Sequence, residues 1–399
     1  MSASPMGPMR ARLPLILLFA AVAAASLPSP GSPAAAPPGA AEPVVEHVRL
    51  PAAGIPKPVT AIYAGAGAVW AGHRDAVSVL ERGAGGWRTF EADTSLEGCP
   101  AGDVLSLAED GEGVWFRTGD EGGTCRFTPR TGEWKELYDL NIIGGDKIAV
   151  EGKRLYVTGE GGPDREGVSV FDRTTLKRTG YNHTKPVTAM LADAGNIWLG
   201  VSAGLLKIDA ASGKYRYFLP RDHGCGVRIN AIEKTGAHVL IATSGGTTGY
   251  LGDRMELSRD EIKVYVEKEN RWFTYATDEK ARAPLQKDIE SGLIPVKTVK
   301  TKGGVCVLDT RTGKWKSYSS KQDISLRGDF HAAAAAGTNF LAASSATAIV
   351  LDPEKGEIKR LGGKAADVLM KSRDFTAGSG NLWIVTEGRL YRVKLSDVL

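Results

Sequence analysis

The sequence predicts an all-β chain folded as a seven-bladed β-propeller of four-stranded blades. Three observations carry this expectation. A strand ending in a large anchor residue recurs at a near-constant interval; glycines, 49 in all, fall at the turns between strands; and the last repeat stops one strand short. Four short strands every 40 to 45 residues is the sequence period of propeller blades.

The anchors are AVWAG at Trp70, GVWFR at Trp115, RLYVT at Tyr156, NIWLG at Trp198, HVLIA at Leu240, NFLAA at Leu341 and NLWIV at Trp383. Their separations are 45, 41, 42, 42, 101 and 42 residues. Most follow a strand-like run and a Gly or Asn turn, as in VTAIYAGAGAVW, and precede a third strand, a polar turn and a fourth strand, as in GLLKIDAASGKYRYF. After Trp383 the chain supplies only RLYRVKL before Leu399. The missing outer strand is available at VVEHVRLP, Val44 to Pro51, which would close the ring and remove the open sheet edges.

The interval of 101 residues admits two readings, an eighth degenerate blade or one long insertion in blade five. Blade five starts with INAIEKTGAHVLIATSGG and resumes with GGVCVLDTRTGKWKSY, which favours an insertion over 247–303. That segment holds one clear hairpin, EIKVYVEKENRWFTY, and carries 11 Lys+Arg against 10 Asp+Glu, the balance of a solvated appendage.

Ahead of the repeats, 1–25 reads as a secretory signal: a short basic start with Arg10 and Arg12, an apolar run from Leu13 to Ala25, and small residues at its end. The run is shorter than the ~20 residues of a membrane-spanning helix. Residues 26–42 are Pro/Ala/Gly-rich and read as a flexible linker, leaving 43–399 as the propeller. The expectation is a periplasmic or secreted monomer with no membrane insertion after signal removal. The formal charge of +4 falls to +2 without Arg10 and Arg12, too little for a surface that tracks phosphates, so nucleic acid is not an expected partner.

Export makes disulfides the expected state of the four cysteines. Cys125 and Cys306 occupy the same place in a third strand, and Cys99 and Cys225 each precede the first strand of the same two blades. The loop entering the first strand and the start of the third share one end of a blade, which pairs Cys99 with Cys125 and Cys225 with Cys306. Zinc held by all four would require two distant blades to converge.

The same topology gathers candidate chemistry on one end of the ring, the top face. His73, His183, His223 and His331, four of six histidines, fall in its loops with Arg74, Asp75, Arg221, Asp222 and Asp329 beside them. Histidines converging toward the pore could bind a metal or exchange protons; loops holding most polar residues is the plainer reading. Trp272, with Phe273 and Tyr275, stands outside the repeat as a partner surface or a packing element. The Asn182-His183-Thr184 triplet fits a glycosylation acceptor. No motif signals a cofactor.

Asn196 to Phe218, NIWLGVSAGLLKIDAASGKYRYF, resembles the propeller repeat of periplasmic sensor domains in hybrid two-component regulators, and Asn381 to Val393 resembles it more loosely. The matching positions are Trp, Gly and apolar residues, so the resemblance implies a fold rather than a chemistry. This chain shows neither the membrane helix nor the kinase region of that family. The leading expectation is a non-catalytic scaffold that binds a protein or small ligand on its top face and blade-five insertion. The alternative is an exported lyase or hydrolase, by analogy with streptogramin-lyase-like and lactonase-like propellers. A third reading is a detached sensor propeller serving a separate membrane kinase.

Overall fold

A computed structural model describes residues 43–399 apart from 52–56, 93–98, 100–101, 120–122, 138–144, 161–165, 183–185, 202–203, 253, 258–260, 277–281, 321–325 and 327. The expected signal, the linker and His183 lie outside the described residues. Seven four-stranded antiparallel sheets form, and their innermost strands are Val59–Ala64, Val104–Glu109, Ile148–Glu151, Val187–Asp193, Arg228–Thr235, Phe330–Ala336 and Asp374–Gly378. Each innermost strand packs against the next and the seventh against the first, so the sheets stand as blades around a closed ring. The long interval is therefore not an eighth blade.

Closure uses the strand expected for it. Val45–Val48 pairs antiparallel with Arg389–Lys394, Val45 opposite Val393 and Val48 opposite Leu390, as the outermost strand of blade seven. Arg392 reaches across this seam to Glu46. The first and last described strands are thereby joined in one sheet, which completes the seventh blade.

The anchors are core residues. Trp70, Trp115, Trp198 and Trp383 are all buried, sandwiched between neighbouring blades with β-branched and aromatic partners. Between blades four and five, for example, Trp198 and Phe218 meet Ile232, Ile241, Leu308 and Trp315. Where blades approach most closely the backbone demands glycine: a Cβ on Gly72 would lie 2.5 Å from Val104 Cγ1, and one on Gly200 would lie 2.9 Å from Ile229 Cβ.

The polar turns between third and fourth strands repeat one device. Asp172, Asp209 and Asp352 each accept two backbone N–H bonds from the residues two and three further on, at 2.7–3.2 Å. Asp309 accepts the first of these bonds at 2.9 Å. Bonding to the ionised form holds all four carboxyls below the usual range. The left-handed residue that follows is Gly213, Gly313 or Gly356 in three of these blades and Leu176 in the fourth.

Between the second and third strands of blade five, His238–Ser244 and Gly304–Asp309, the chain builds an appendage. Gly246–Leu251 pairs with Val296–Thr301 as a two-stranded stem. Beyond it lie a three-stranded sheet, Arg254–Leu257, Glu261–Val266 and Arg271–Ala276, and the helix Arg282–Glu290. These elements enclose a small core of Val264, Val266, Tyr275 and Ile294, with Leu285 and Ile289 against it. The stem is Thr-, Lys- and Gly-rich, and so carries little of the apolar alternation that reveals a strand in sequence. Among the described residues, no helix is long and apolar enough to cross a membrane.

Candidate functional site

The root of this appendage is where Arg221, Asp222, His223 and Asp329, four of the nine loop residues singled out in the sequence, lie together. Pro220–His223 forms one helical turn after blade four, begun by Pro220 and closed by Gly224 in the left-handed conformation at φ 73°. The Asp222 carboxylate accepts the Leu219 N–H at 2.7 Å and so fixes the start of the turn. Arg221 then extends toward the appendage. Its guanidinium lies 5.5 Å from the Tyr250 ring centroid, in cation–π range, and donates to the Met255 carbonyl at 3.3 Å. Arg221 thus binds the blade-four exit loop to both the stem and the sheet beyond it, and Asp222 holds the turn that presents it.

A second clamp comes from the other side. Asp329, in the loop entering blade six, accepts the Gly245 N–H at 2.7 Å. A Cβ on Gly303, where the stem returns, would lie 2.6 Å from the same Asp329 oxygen, so that position requires glycine. Inside the root, Thr243 Oγ1 accepts the Gly226 N–H and donates to the Gly304 carbonyl, both at 2.9 Å.

A disulfide completes the root. Cys225 and Cys306 are paired with Cα atoms 6.1 Å apart, and Cys99 and Cys125 are paired in blade two at 5.7 Å. The first pair closes a loop that contains the whole appendage. His223 packs against it. The ring is 2% exposed, lies 5.4 Å from the Trp315 ring, and accepts the Cys225 N–H on Nδ1 at 3.2 Å, while buried Nε2 has no hydrogen-bond partner. Burial pushes its pKa down to about 4, which keeps the imidazole neutral. One ring nitrogen and the two sulfurs lie within 4.8 Å of one another, the one group of three such donors among the described residues.

The appendage itself presents Trp272, 43% exposed, on the face opposite its small core. Lys263 and Thr274 share that face and are exposed beside it. Tyr275 points the other way. It is buried in the core and donates to Asp288 Oδ2 of the helix at 2.7 Å, a contact that raises its pKa along with burial.

The other histidines are engaged locally. His73 is buried in blade one, where Nε2 pairs with Ser78 Oγ at 2.9 Å. Ser78 continues to Thr89 at 2.7 Å and Thr89 to the Pro51 carbonyl at 2.7 Å, a hydroxyl chain across the blade. Burial lowers the His73 pKa. Next to it, Asp75 holds a left-handed φ of 56° and accepts the Gly102 N–H at 2.6 Å, while the exposed Arg74 bridges its backbone to Asp103. This pair ties blade one to the entry of blade two.

His331 occupies a bulge that recurs in five innermost strands, at Thr60, Leu105, Thr188, Asn230 and His331. The polar members bond toward the next blade. Thr60 donates to the Val104 carbonyl at 2.8 Å, Asn230 donates to the Phe330 carbonyl at 2.6 Å, and His331 Nε2 pairs with Ser372 Oγ at 3.2 Å. Thr188 makes the same reach to the Ile229 carbonyl. His331, its pKa lowered by burial, therefore serves as an inter-blade staple. Among the described residues, His73, His223 and His331 do not gather into a shared donor set.

Two acidic groups escaped the sequence reading. Glu233 and Asp374 lie on the innermost strands of blades five and seven, both half-buried. Burial pushes Glu233 up to about 8, against a backbone N–H bond from Ala335, and the Asp374 charge adds to the rise. Burial likewise raises Asp374 to about 6, opposed by Lys147. Tyr63 of blade one also feels the Glu233 charge. Glu233 thus reaches the innermost strand of the adjacent blade six at Ala335, and its charge acts on Asp374 and Tyr63 of non-adjacent blades. The available signal was Glu233 itself, a charged residue where aligned repeats carry Tyr63, Ala108, Ala149, Leu191, Ala334 and Thr376.

No family model and no curated protein matches the chain. Solved structures do share its architecture. It is similar to the β-propeller domain of Myceliophteria thermophila Cps50 (Swd1), at 11% identity and a TM-score of 0.52, covering 88% of this chain and 100% of that one. The shared fold is the β-propeller, and WD40 domains are among the similar structures. The RRP9 WD40 repeats match at 11% identity and a TM-score of 0.53, over 89% of this chain and 99% of that one. A chain of a mitotic checkpoint complex matches at 10% identity and 0.55, over 94% and 98%. At such identities the likeness speaks to fold alone.

Proposed function

We propose that the protein is an exported, non-catalytic scaffold that binds a protein partner through its blade-five appendage and the adjoining top-face loops. One observation carries this reading: a subdomain with its own core stands on a blade-five root closed by a disulfide, is held to the ring by Arg221 on Tyr250 and braced by Asp329 on Gly245, and displays Trp272 outward. A rigid platform reduces the ordering cost of association, and an exposed Trp is a common anchor at protein interfaces. The apolar start at 1–25 supports export to the periplasm or beyond, and Asn196 to Phe218 supports kinship with two-component-regulator propellers.

Replacing 247–301 by a short Gly-Ser linker tests the reading. The shortened ring is expected to fold and to lose a partner that the intact chain captures, and Trp272→Ala is expected to weaken the same capture. Capture unchanged by both variants would overturn it. The enzyme reading keeps one specific support, the raised carboxyls Glu233 and Asp374 inside the ring, since a carboxyl poised near neutrality can act as a general acid. Its test is loss of a hydrolase or lyase activity in Glu233→Gln.

A further inference from the structure

We propose that, once the Cys225–Cys306 disulfide is reduced, His223, Cys225 and Cys306 bind one zinc(II) ion at the root of the appendage. All three residues are buried, and their donor atoms lie within 4.8 Å of one another. The sulfurs come from different segments, the blade-five entry loop and its third strand, whose Cα atoms are 6.1 Å apart. That spacing leaves room for the side chains to rotate until each sulfur sits ~2.3 Å from a shared ion.

The chemistry of the donors selects the ion. Two thiolates and a neutral imidazole give zinc(II) a site without net charge, which a buried position requires. His223 is already neutral and packed on Trp315; zinc would take either the Nδ1 lone pair that now accepts the Cys225 N–H or, after the ring proton moves from Nε2 to Nδ1, the lone pair of buried Nε2, which has no hydrogen-bond partner to give up. Three protein donors leave the fourth position of a tetrahedral shell open.

The step balances with an external dithiol as reductant. The dithiol gives two electrons and two protons, the S–S bond breaks, two thiols form and the reductant becomes a disulfide. Zinc then enters without any change of oxidation state, and the two thiol protons pass to solvent as the sulfurs bind. The ion would join the same two segments that the disulfide joins, so the root has two alternative fastenings.

The test uses the full chain carrying Cys99→Ser and Cys125→Ser, so that only the blade-five pair remains. The protein is reduced with a phosphine under nitrogen, freed of reductant, and titrated with zinc(II) and separately with cobalt(II). The expected result is one ion per chain in the reduced protein, none in the oxidised protein, and thiolate-to-cobalt charge-transfer absorption. His223→Gln in the same background should weaken zinc at least ~10-fold while the far-ultraviolet circular dichroism is unchanged. Zinc absent from the reduced chain, equal binding by the oxidised chain, or equal affinity in His223→Gln would each overturn the assignment. Should the double serine variant not fold, the reduced natural sequence and its His223→Gln form are compared, and a difference of one ion per chain is the expected outcome.

Discussion

Glu233→Gln should make the protein more stable at alkaline pH and leave it unchanged at pH 5. The folded chain holds the Glu233 carboxyl at about 8, against a usual value of 4.5, because burial on the inner wall disfavours its charge. In this window the folded state keeps a proton that the unfolded state has released, so stability is full below about 4.5 and falls as pH rises through 8. At about 1.4 kcal/mol per pH unit, the gap sets a ceiling of roughly 5 kcal/mol. Glu233 retains part of its surface, and solvent screening brings the expected effect to about 2 kcal/mol. Urea unfolding of both proteins at pH 5 and pH 9 measures it, and charges common to both cancel in the difference. Equal midpoints at pH 5 and a higher midpoint for the variant at pH 9, with unchanged slope, are expected. Parallel loss of stability in the two proteins would show that Glu233 is solvated and keeps an ordinary carboxyl pKa.

Three further outcomes follow from the geometry. Removing the Cys225–Cys306 crosslink by paired serine substitution should cost about 4.5 kcal/mol and removing Cys99–Cys125 about 3.5 kcal/mol, from the entropy of loops spanning 81 and 26 residues, read by denaturant unfolding. Gly200→Ala should destabilise by about 1–3 kcal/mol because its Cβ would press on Ile229, and a thermal melt matching the parent would contradict that close approach. Arg221→Ala should speed amide exchange in Gly246–Leu251 and Arg254–Leu257 without changing exchange in the innermost strands; uniform exchange would place no clamp at Tyr250 and Met255.

Much of the ring was legible because its packing is periodic. Trp70, Trp115, Trp198 and Trp383 recur where blades meet, and the missing fourth strand after Arg389–Lys394 pointed to Val45–Val48 as the closing strand. The stem of the appendage was not legible, since Gly246–Leu251 and Val296–Thr301 pair with each other across 44 intervening residues and lack an apolar face. The candidate site was legible only as a set of loops. Topology placed Arg221, Asp222 and Asp329 on one end, but their convergence on the appendage root depends on side-chain reach that spacing does not encode. His331 looked like a loop histidine and is a bulge residue, equivalent to Thr60 and Asn230, because a one-residue register shift leaves no mark in a single sequence. Glu233 was passed over as part of a strand, although a charge opposite the anchor residue, where every other blade is uncharged, is the trace such a group leaves.

The most direct measurement is hydrogen–deuterium exchange on the intact chain, free and with the partner it captures. Recognition through the appendage predicts new protection in Glu261–Val266 and Arg271–Ala276, centred on Trp272, with the innermost strands unchanged. Protection confined to the inner wall around Glu233 and Asp374, or to the opposite end of the ring, would contradict it.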